Sequence, residues 1–377
     1  MPARDVIVVG GSAGCLTALV RIVRDLRRDL PATLLIVVHT SPEAPSQLPD
    51  ILGRATSWPV AHARDGDELR HRRILVAPPD RHLLIEPGRV RLTHGPHENR
   101  FRPAVDPLFR SAAAAYGPRV VGVVLSGMLD DGTHGLSMIK RHGGVAIVQD
   151  ASEAPFASMP MSAIQKTDVD YVVPVAEIAP LLHHLAAERR ATGAMTVASR
   201  SKERRHKRST IATETQAPDD DGQPSTYGCP ECGGALWEAD DGHLLRFRCR
   251  IGHRFSAESL LAEQDERVEA AMWTALRALE EAAALRRRMA DRVRSRGLRV
   301  IAEGYSERAE EAERQADVIR RALSSELRAA DVATQGAQAM AARSRARTST
   351  KTRAPTKPDR PIRLATRKRR RSTPASD

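Results

Sequence analysis

The strongest constraint in this sequence is a set of uninterrupted apolar runs, each of strand length and each leading into polar residues. Val6-Ile-Val-Val runs into Gly10-Gly-Ser12-Ala-Gly14-Cys15, Leu34 to Val38 ends on His39, and Val120 to Leu125 leads through Ser126 to Asp130-Asp131-Gly132. A half-exposed strand alternates apolar and polar residues, whereas an unbroken run needs cover on both faces, as in a parallel sheet between two helical layers. Helical spacing fills the intervals: Leu16, Leu19, Val20, Val23 and Leu26 form an apolar stripe over residues 16–28. Further helices are expected over 106–116, 134–142, from about Met159, and over 177–190, with strands over 144–149 and 169–173. Arg73–Ala77, His82–Glu86 and Arg89–Thr93 lie so close together that antiparallel hairpins at one edge are expected. The expected fold is α/β with a doubly wound, mostly parallel sheet over residues 4–190.

Charge and cysteine usage narrow the function classes. The formal charge of +12 invites a nucleic-acid reading, but residues 343–377 carry 13 Lys and Arg against Asp359 and Asp377, so the remainder is nearly neutral. A basic tail binds polyanions without specifying one, and nucleic-acid binding beyond that is not expected. Cys15, Cys229, Cys232 and Cys249 are too few and too unevenly spaced for a secreted disulfide framework, which points to a reducing, cytoplasmic setting. No apolar run approaches the roughly 18 residues of a membrane span. Ser12-Ala-Gly-Cys15 resembles a lipoprotein cleavage site, but Asp5 and the β/α alternation through the segment oppose that reading.

Gly10-x-Ser12-x-Gly14 on a strand-to-helix turn fits a nucleophile elbow, with a phosphate-binding glycine turn as the alternative. Ligands of a doubly wound sheet gather at the carboxyl ends of its strands. Ser12, His39 and the Asp130-Asp131 pair all stand at such ends. A serine needs a base, and an imidazole needs a carboxylate to fix its tautomer. The order Ser, His, Asp differs from that of α/β-hydrolases, so another fold is implied. A dinucleotide site is opposed by His39, which stands where an acid is expected. Asp130 rivals Asp131. Arg102 and Arg110 either face an acidic substrate or line a solvated helix, Asp150 reads as a turn or cap, and His62, His94, His97, His134 and His142 read as surface or loop residues.

Together these stretches resemble a known family, the catalytic domain of chemotaxis protein-glutamate methylesterases (CheB-type). The matching motifs are Gly-Gly-Ser12-Ala-Gly, Val-Val-His39, the run from Arg102 through Pro103-Ala-Val-Asp106 to Ala112, Leu-Ser-Gly-Met128-Leu-Asp-Asp131-Gly132, and Pro155 to Pro160, over about residues 5–186. The resemblance implies Ser12 as nucleophile, His39 as base, Asp131 as orienting acid and the Met128 backbone N–H as an oxyanion donor. It also implies methylated chemoreceptor helices as substrate, hydrolysed at glutamate γ-methyl esters, with glutamine deamidation as a second use and no cofactor for catalysis. Cys15 and Leu129-Asp130 depart from the usual glycines. The family's usual N-terminal receiver domain is not matched, so control through its phosphorylation is not expected.

Cys229-Pro-Glu-Cys232 and Cys249-Arg-Ile-Gly-His253 have zinc-ribbon spacing, so a structural Zn2+ is expected on Cys229, Cys232, Cys249 and His253, with His243 as a possible substitute ligand. The divisions expected are a linker over 191–226 with a basic cluster at Arg200–Arg208, a zinc-ribbon-like module over 227–256, a helical hairpin over 257–330 and a disordered basic tail over 335–377. The mixed charges of Arg246, Arg248 and Arg250 against Glu231, Glu238, Asp240 and Asp241 favour protein docking for the module, and the hairpin offers a further partner surface. The alternative function is a catalytically silent scaffold whose module and tail do the binding.

Overall fold

The computed structural model describes residues 4–43, 45–187, 222–240 and 244–350. The chain alternates strands and helices through β1 (Val6–Gly11), α1 (Leu16–Asp25), β2 (Thr33–Val38), α2 (Leu48–Gly53), β3 (Val60–His62) and β4 (Ile74–Val76). A hairpin of β5 (His82–Glu86) and β6 (Arg89–Thr93) follows, then α3 (Val105–Tyr116), β7 (Val120–Val124), α4 (Thr133–Arg141), β8 (Val145–Gln149), α5 (Ser158–Lys166), β9 (Tyr171–Val173) and α6 (Val175–Ala187).

Seven strands form one sheet in the order β3-β4-β2-β1-β7-β8-β9, and every recorded pairing in it is parallel. The two-residue period of a strand explains how one run serves two cores. Ile7, Val9, Leu34, Ile36, Val121 and Val123 face α1, α2 and α6, while Val6, Val8, Leu35, Val37, Val120 and Val124 face α3, α4 and α5. Each internal strand is therefore apolar but for Thr33 at the start of β2 and Gln149 at the end of β8. α1 buries one stripe, Ala18, Leu19, Ile22 and Val23, whereas α3 is buried on all sides from Val105 through Phe109.

The expected edge hairpins need correction. β5 and β6 do form a separate antiparallel pair, but Ile74–Val76 pairs in parallel with both β2 and β3 inside the main sheet. All three of its residues are buried, which requires cover on both faces and excludes a solvated hairpin.

Beyond residue 221, β10 (Gln223–Gly228), β11 (Ala235–Asp240), β12 (Leu245–Cys249) and β13 (Arg254–Ser256) make a four-stranded antiparallel sheet. Two long helices follow, α7 (Ala257–Arg294) and α8 (Arg299–Thr350). Leu276, Ala316 and Leu323 seal their contact. The linker boundary at 226 shifts, because residues 223–226 already belong to β10. The hairpin does not stop at 330: α8 continues through Thr350, into the stretch expected to be tail. Residues 331–342 lack an apolar stripe but are rich in Ala and Gln, which favour helix without one. Residues 191–221 of the expected linker with its Arg200–Arg208 cluster, His243, Asp241 and residues 351–377 lie outside the described residues. Among the described residues no helix is long and apolar enough to cross a membrane.

Candidate active site

β1 lies between β2 and β7, and the chain turns to opposite sides of β1 to reach them, so the carboxyl end of β1 is a topological switch point. Ser12 leaves β1 there, with its N–H donating to Ser126 O at 2.9 Å across the gap to the turn after β7. The turn is built from small residues for a steric reason. A Cβ on Gly127 would lie 2.0 Å from Met159 Sδ and 2.9 Å from Ser12 Cβ, and one on Gly10 would lie 2.2 Å from Val105 Cγ1. Gly14 has φ +75° beneath Pro155 and Phe156. Leu129, at φ 60°, holds a left-handed conformation that costs a side-chain-bearing residue roughly 1–2 kcal/mol, and it aims the two aspartates that follow.

The three strand-end groups converge. His39 Nδ1 lies 3.0 Å from Ser12 Oγ, and His39 Nε2 lies 2.7 Å from Asp131 Oδ2. The His39 and Asp131 side chains are 3% and 2% exposed. With the Nε2 proton held on the carboxylate, the Nδ1 lone pair faces the serine hydroxyl. Asp131 also receives Val105 N–H at 2.6 Å, Asp106 N–H at 3.2 Å and Asn99 Nδ2 at 2.9 Å. Burial opposes its charge, but the hydrogen bonds from His39, Val105 and Asn99 outweigh burial and hold the carboxyl below its ordinary range. Asp106 goes the other way: burial, then the nearby Asp131 charge, push its carboxyl up. The Phe101 ring stacks on His39 at 3.7 Å between centroids.

The rivals separate. Asp130 faces away from His39 and accepts from Ser256 Oγ at 2.5 Å. Arg102 does not reach toward a substrate but pairs with Asp80 at 2.6 Å, and Arg110 forms a two-pronged pair with Glu98 at 2.8 Å. Asp150 accepts Ser152 N–H in a turn. His62 is half-buried against Ser46 O, and His97 meets Glu231 at 3.1 Å rather than standing alone on a loop. Cys15 packs in the core behind the elbow, and burial pushes its thiol up to about 12, which excludes it as a nucleophile. Met128 is 56% exposed beside Ser12, with Phe156 and Leu16 also exposed around the elbow.

A model of the CheB methylesterase family matches residues 7–182. A protein of Anaeromyxobacter dehalogenans named protein-glutamate methylesterase/protein-glutamine glutaminase 2 is 40% identical over 188 residues, 49% of this chain and 55% of that protein. A Leptospira interrogans relative, provisionally assigned the same two activities, is 36% identical over 182 residues, which are 94% of its length. The chain belongs to the CheB methylesterase family. The crystal structure of the Thermotoga maritima CheB methylesterase catalytic domain is 32% identical, with a TM-score of 0.46 over 48% of this chain and 98% of that one. The chain spans about half the length of several methylesterase relatives, 55% for the Anaeromyxobacter protein and 50% for one from Paramagnetospirillum magneticum.

Outside the CheB-matched segment, Cys229, Cys232, Cys249 and His253 bring their ligand atoms within 4.8 Å of one another. Cys229 Sγ and Cys249 Sγ lie 3.6 and 3.4 Å from His253 Nδ1, and Cys232 Sγ lies 3.7 Å from Cys249 Sγ. Two tight turns present them: Gly233 N–H donates to Cys229 O, and Gly252 N–H to Cys249 O, with φ of 73° and 112° at the two glycines. Pattern reading missed how this cluster meets the CheB segment. His97, Asn99 and Arg100 make the contact from a loop with no apolar period, and nothing in their spacing signals partners so far along the chain.

Proposed function

We propose that the protein is a serine hydrolase that demethylates glutamate γ-methyl esters on chemoreceptor helices, and that it deamidates receptor glutamines with the same groups. The observation that carries the reading is the line from the partly exposed Ser12 Oγ through the His39 ring to the Asp131 carboxylate, with contacts of 3.0 and 2.7 Å. In this reading His39 Nδ1 takes the Ser12 proton as Oγ bonds to the ester carbon. The Met128 N–H faces the oxyanion that forms. Collapse breaks the bond to the methoxy oxygen, which leaves as methanol with the proton from His39. Water, deprotonated by His39, then attacks the acyl carbon, and His39 gives that proton to Ser12 Oγ as the bond from Oγ to the acyl carbon breaks, releasing the glutamate carboxyl group. From a glutamine, ammonia leaves instead. The exposed apolar rim of Leu16, Met128 and Phe156 suits the aliphatic surface of a helix carrying the ester.

The same reading assigns a structural zinc to Cys229, Cys232, Cys249 and His253, in a zinc-ribbon-like module formed by β10–β13. Three of the six ligand separations, 3.4 to 3.7 Å, fit the edges of a tetrahedron with bonds of about 2.0–2.3 Å, and all lie within 4.8 Å. A metal there supplies cross-linking of two turns and no catalytic chemistry.

The test is methanol release from methylated receptor fragments. Ser12→Ala should abolish it, a loss on the order of 10⁴-fold or more. Near-normal turnover by the folded variant refutes the assignment, and a wild type that releases no methanol supports the silent-scaffold alternative.

A further inference from the structure

Asn99 is 5% exposed, and its side chain spends both donors and both acceptor sites. Nδ2 donates to Asp131 Oδ1 at 2.9 Å and to Asp106 Oδ2 at 3.0 Å. Oδ1 accepts from Ser256 N–H at 2.9 Å and Ser259 Oγ at 3.1 Å. One end of this carboxamide thus touches the carboxylate that holds His39. The other is bound to the N-terminus of α7, where Ser256 caps the helix by accepting Ser259 N–H.

The loop that carries Asn99 is gripped along its length by the unit that bears the four metal ligands. His97 pairs with Glu231, which stands between Cys229 and Cys232. Arg254 N–H, next to His253, donates to His97 O at 3.3 Å, and Asn99 N–H donates to Arg254 O at 2.8 Å. Arg100 pairs with Glu263 at 2.6 Å and with Glu266, both on α7. Lys166 of α5 pairs with Glu258 beside the same helix end. Arg100, beside Asn99 at φ 50°, has a φ of 76°, a conformation that a long side-chain-bearing residue keeps only when its surroundings hold it. The next residue in this loop, Phe101, covers His39.

We propose that the β10–β13 unit and the first three turns of α7 clamp the esterase triad in cis, with Asn99 as the positioning residue through which metal loading at Cys229, Cys232, Cys249 and His253 sets the reactivity of Ser12. The proposal rests on the triad reading given above. When the unit detaches, Asn99 Oδ1 loses two donors, the strained loop relaxes, and Asp131 and His39 lose a hydrogen bond and a stacked ring. The apolar rim at Leu16, Met128 and Phe156 is not part of this loop, so the loss falls on turnover rather than on substrate binding.

The test uses the full chain and three readouts: kcat and KM for methanol release, the rate at which a fluorophosphonate labels Ser12, and amide hydrogen exchange over residues 97–101. Chelation withdraws the metal. Arg100→Glu sets a carboxylate against Glu263 and Glu266 while leaving all four ligands in place, and Asn99→Ala cuts the bridge itself. Each should lower kcat and the labelling rate about 10- to 100-fold with KM within about threefold. Chelation and Arg100→Glu should also speed exchange over 97–101, Arg100→Glu should retain its metal, and Arg100→Lys should restore the rates. Wild-type labelling in Arg100→Glu or in Asn99→Ala overturns the proposal. A wild type that neither releases methanol nor takes the label refutes the esterase reading itself, whereas an active wild type indifferent to all three perturbations refutes the clamp alone.

Discussion

A serine hydroxyl attacks nothing at neutral pH unless its proton has somewhere to go, so the chemistry proposed for Ser12 depends on which nitrogen of His39 faces it. Asp131 decides this by binding Nε2. Asp131→Asn keeps the shape but can present an N–H to Nε2, which favours the wrong tautomer. It should lower kcat by about 10³- to 10⁴-fold and, because the new NH2 then faces the Val105 N–H, also lower stability by about 1–3 kcal/mol, as measured by methanol release and calorimetry. Glu98 governs a different property. Burial opposes its charge, yet the Arg110 and Arg254 guanidiniums bring its carboxyl down from 4.5 to about 2. A depressed carboxyl contributes stability that is fully present above its unfolded value and is lost as pH falls through the folded one. With its side chain 13% exposed, the contribution is on the order of 3 kcal/mol. Urea midpoints should therefore drop between about pH 5 and pH 2, and Glu98→Gln should flatten that slope while lowering the plateau.

At the scale of elements, the turn after β7 tolerates no added carbon. Gly127→Ala must push either Met159 or Ser12 aside, and it should cost at least 10-fold in kcat/KM and about 1–3 kcal/mol in stability. Gly304, in α8, meets nothing within 4 Å, so Gly304→Ala should instead raise stability by roughly 0.5–1 kcal/mol. Denaturant titration of the two variants checks both signs. The same elements show what a sequence discloses. Runs such as Leu34–Val38 announce a parallel sheet because two-sided burial removes polar residues, and the polar groups just past their ends mark where ligands gather. Short strands disclose less: Ile74-Leu75-Val76 looks the same whether it pairs with a neighbour in sequence or with β2 and β3. The clamp loop was silent for a similar reason, since Asn99 is a common turn residue whose partners lie 157 and 160 positions away. Even Arg102 and Arg110, exposed by composition, find acids within their own chain.

At the scale of the molecule, one sheet builds the candidate triad and a second sheet, with a Cys3His cluster, leans on it. Metal analysis of the full chain should find about one zinc per chain, and removing it should expose the turns at Cys229 and Cys249 to proteolysis; protein free of metal after careful preparation, yet equally resistant, would remove the zinc assignment. Asn99 and Ser259 are 160 residues apart and share a buried hydrogen bond. On a translating ribosome the candidate triad thus emerges well before the contacts that complete Asn99, an interval of roughly six to twenty-five seconds between Asp131 and Ser259 at ordinary elongation rates. Newly made chains would pass that interval with Ser12, His39 and Asp131 already synthesised but unclamped, so under the proposed clamp the order of synthesis would delay the proposed esterase reactivity until α7 has begun to emerge.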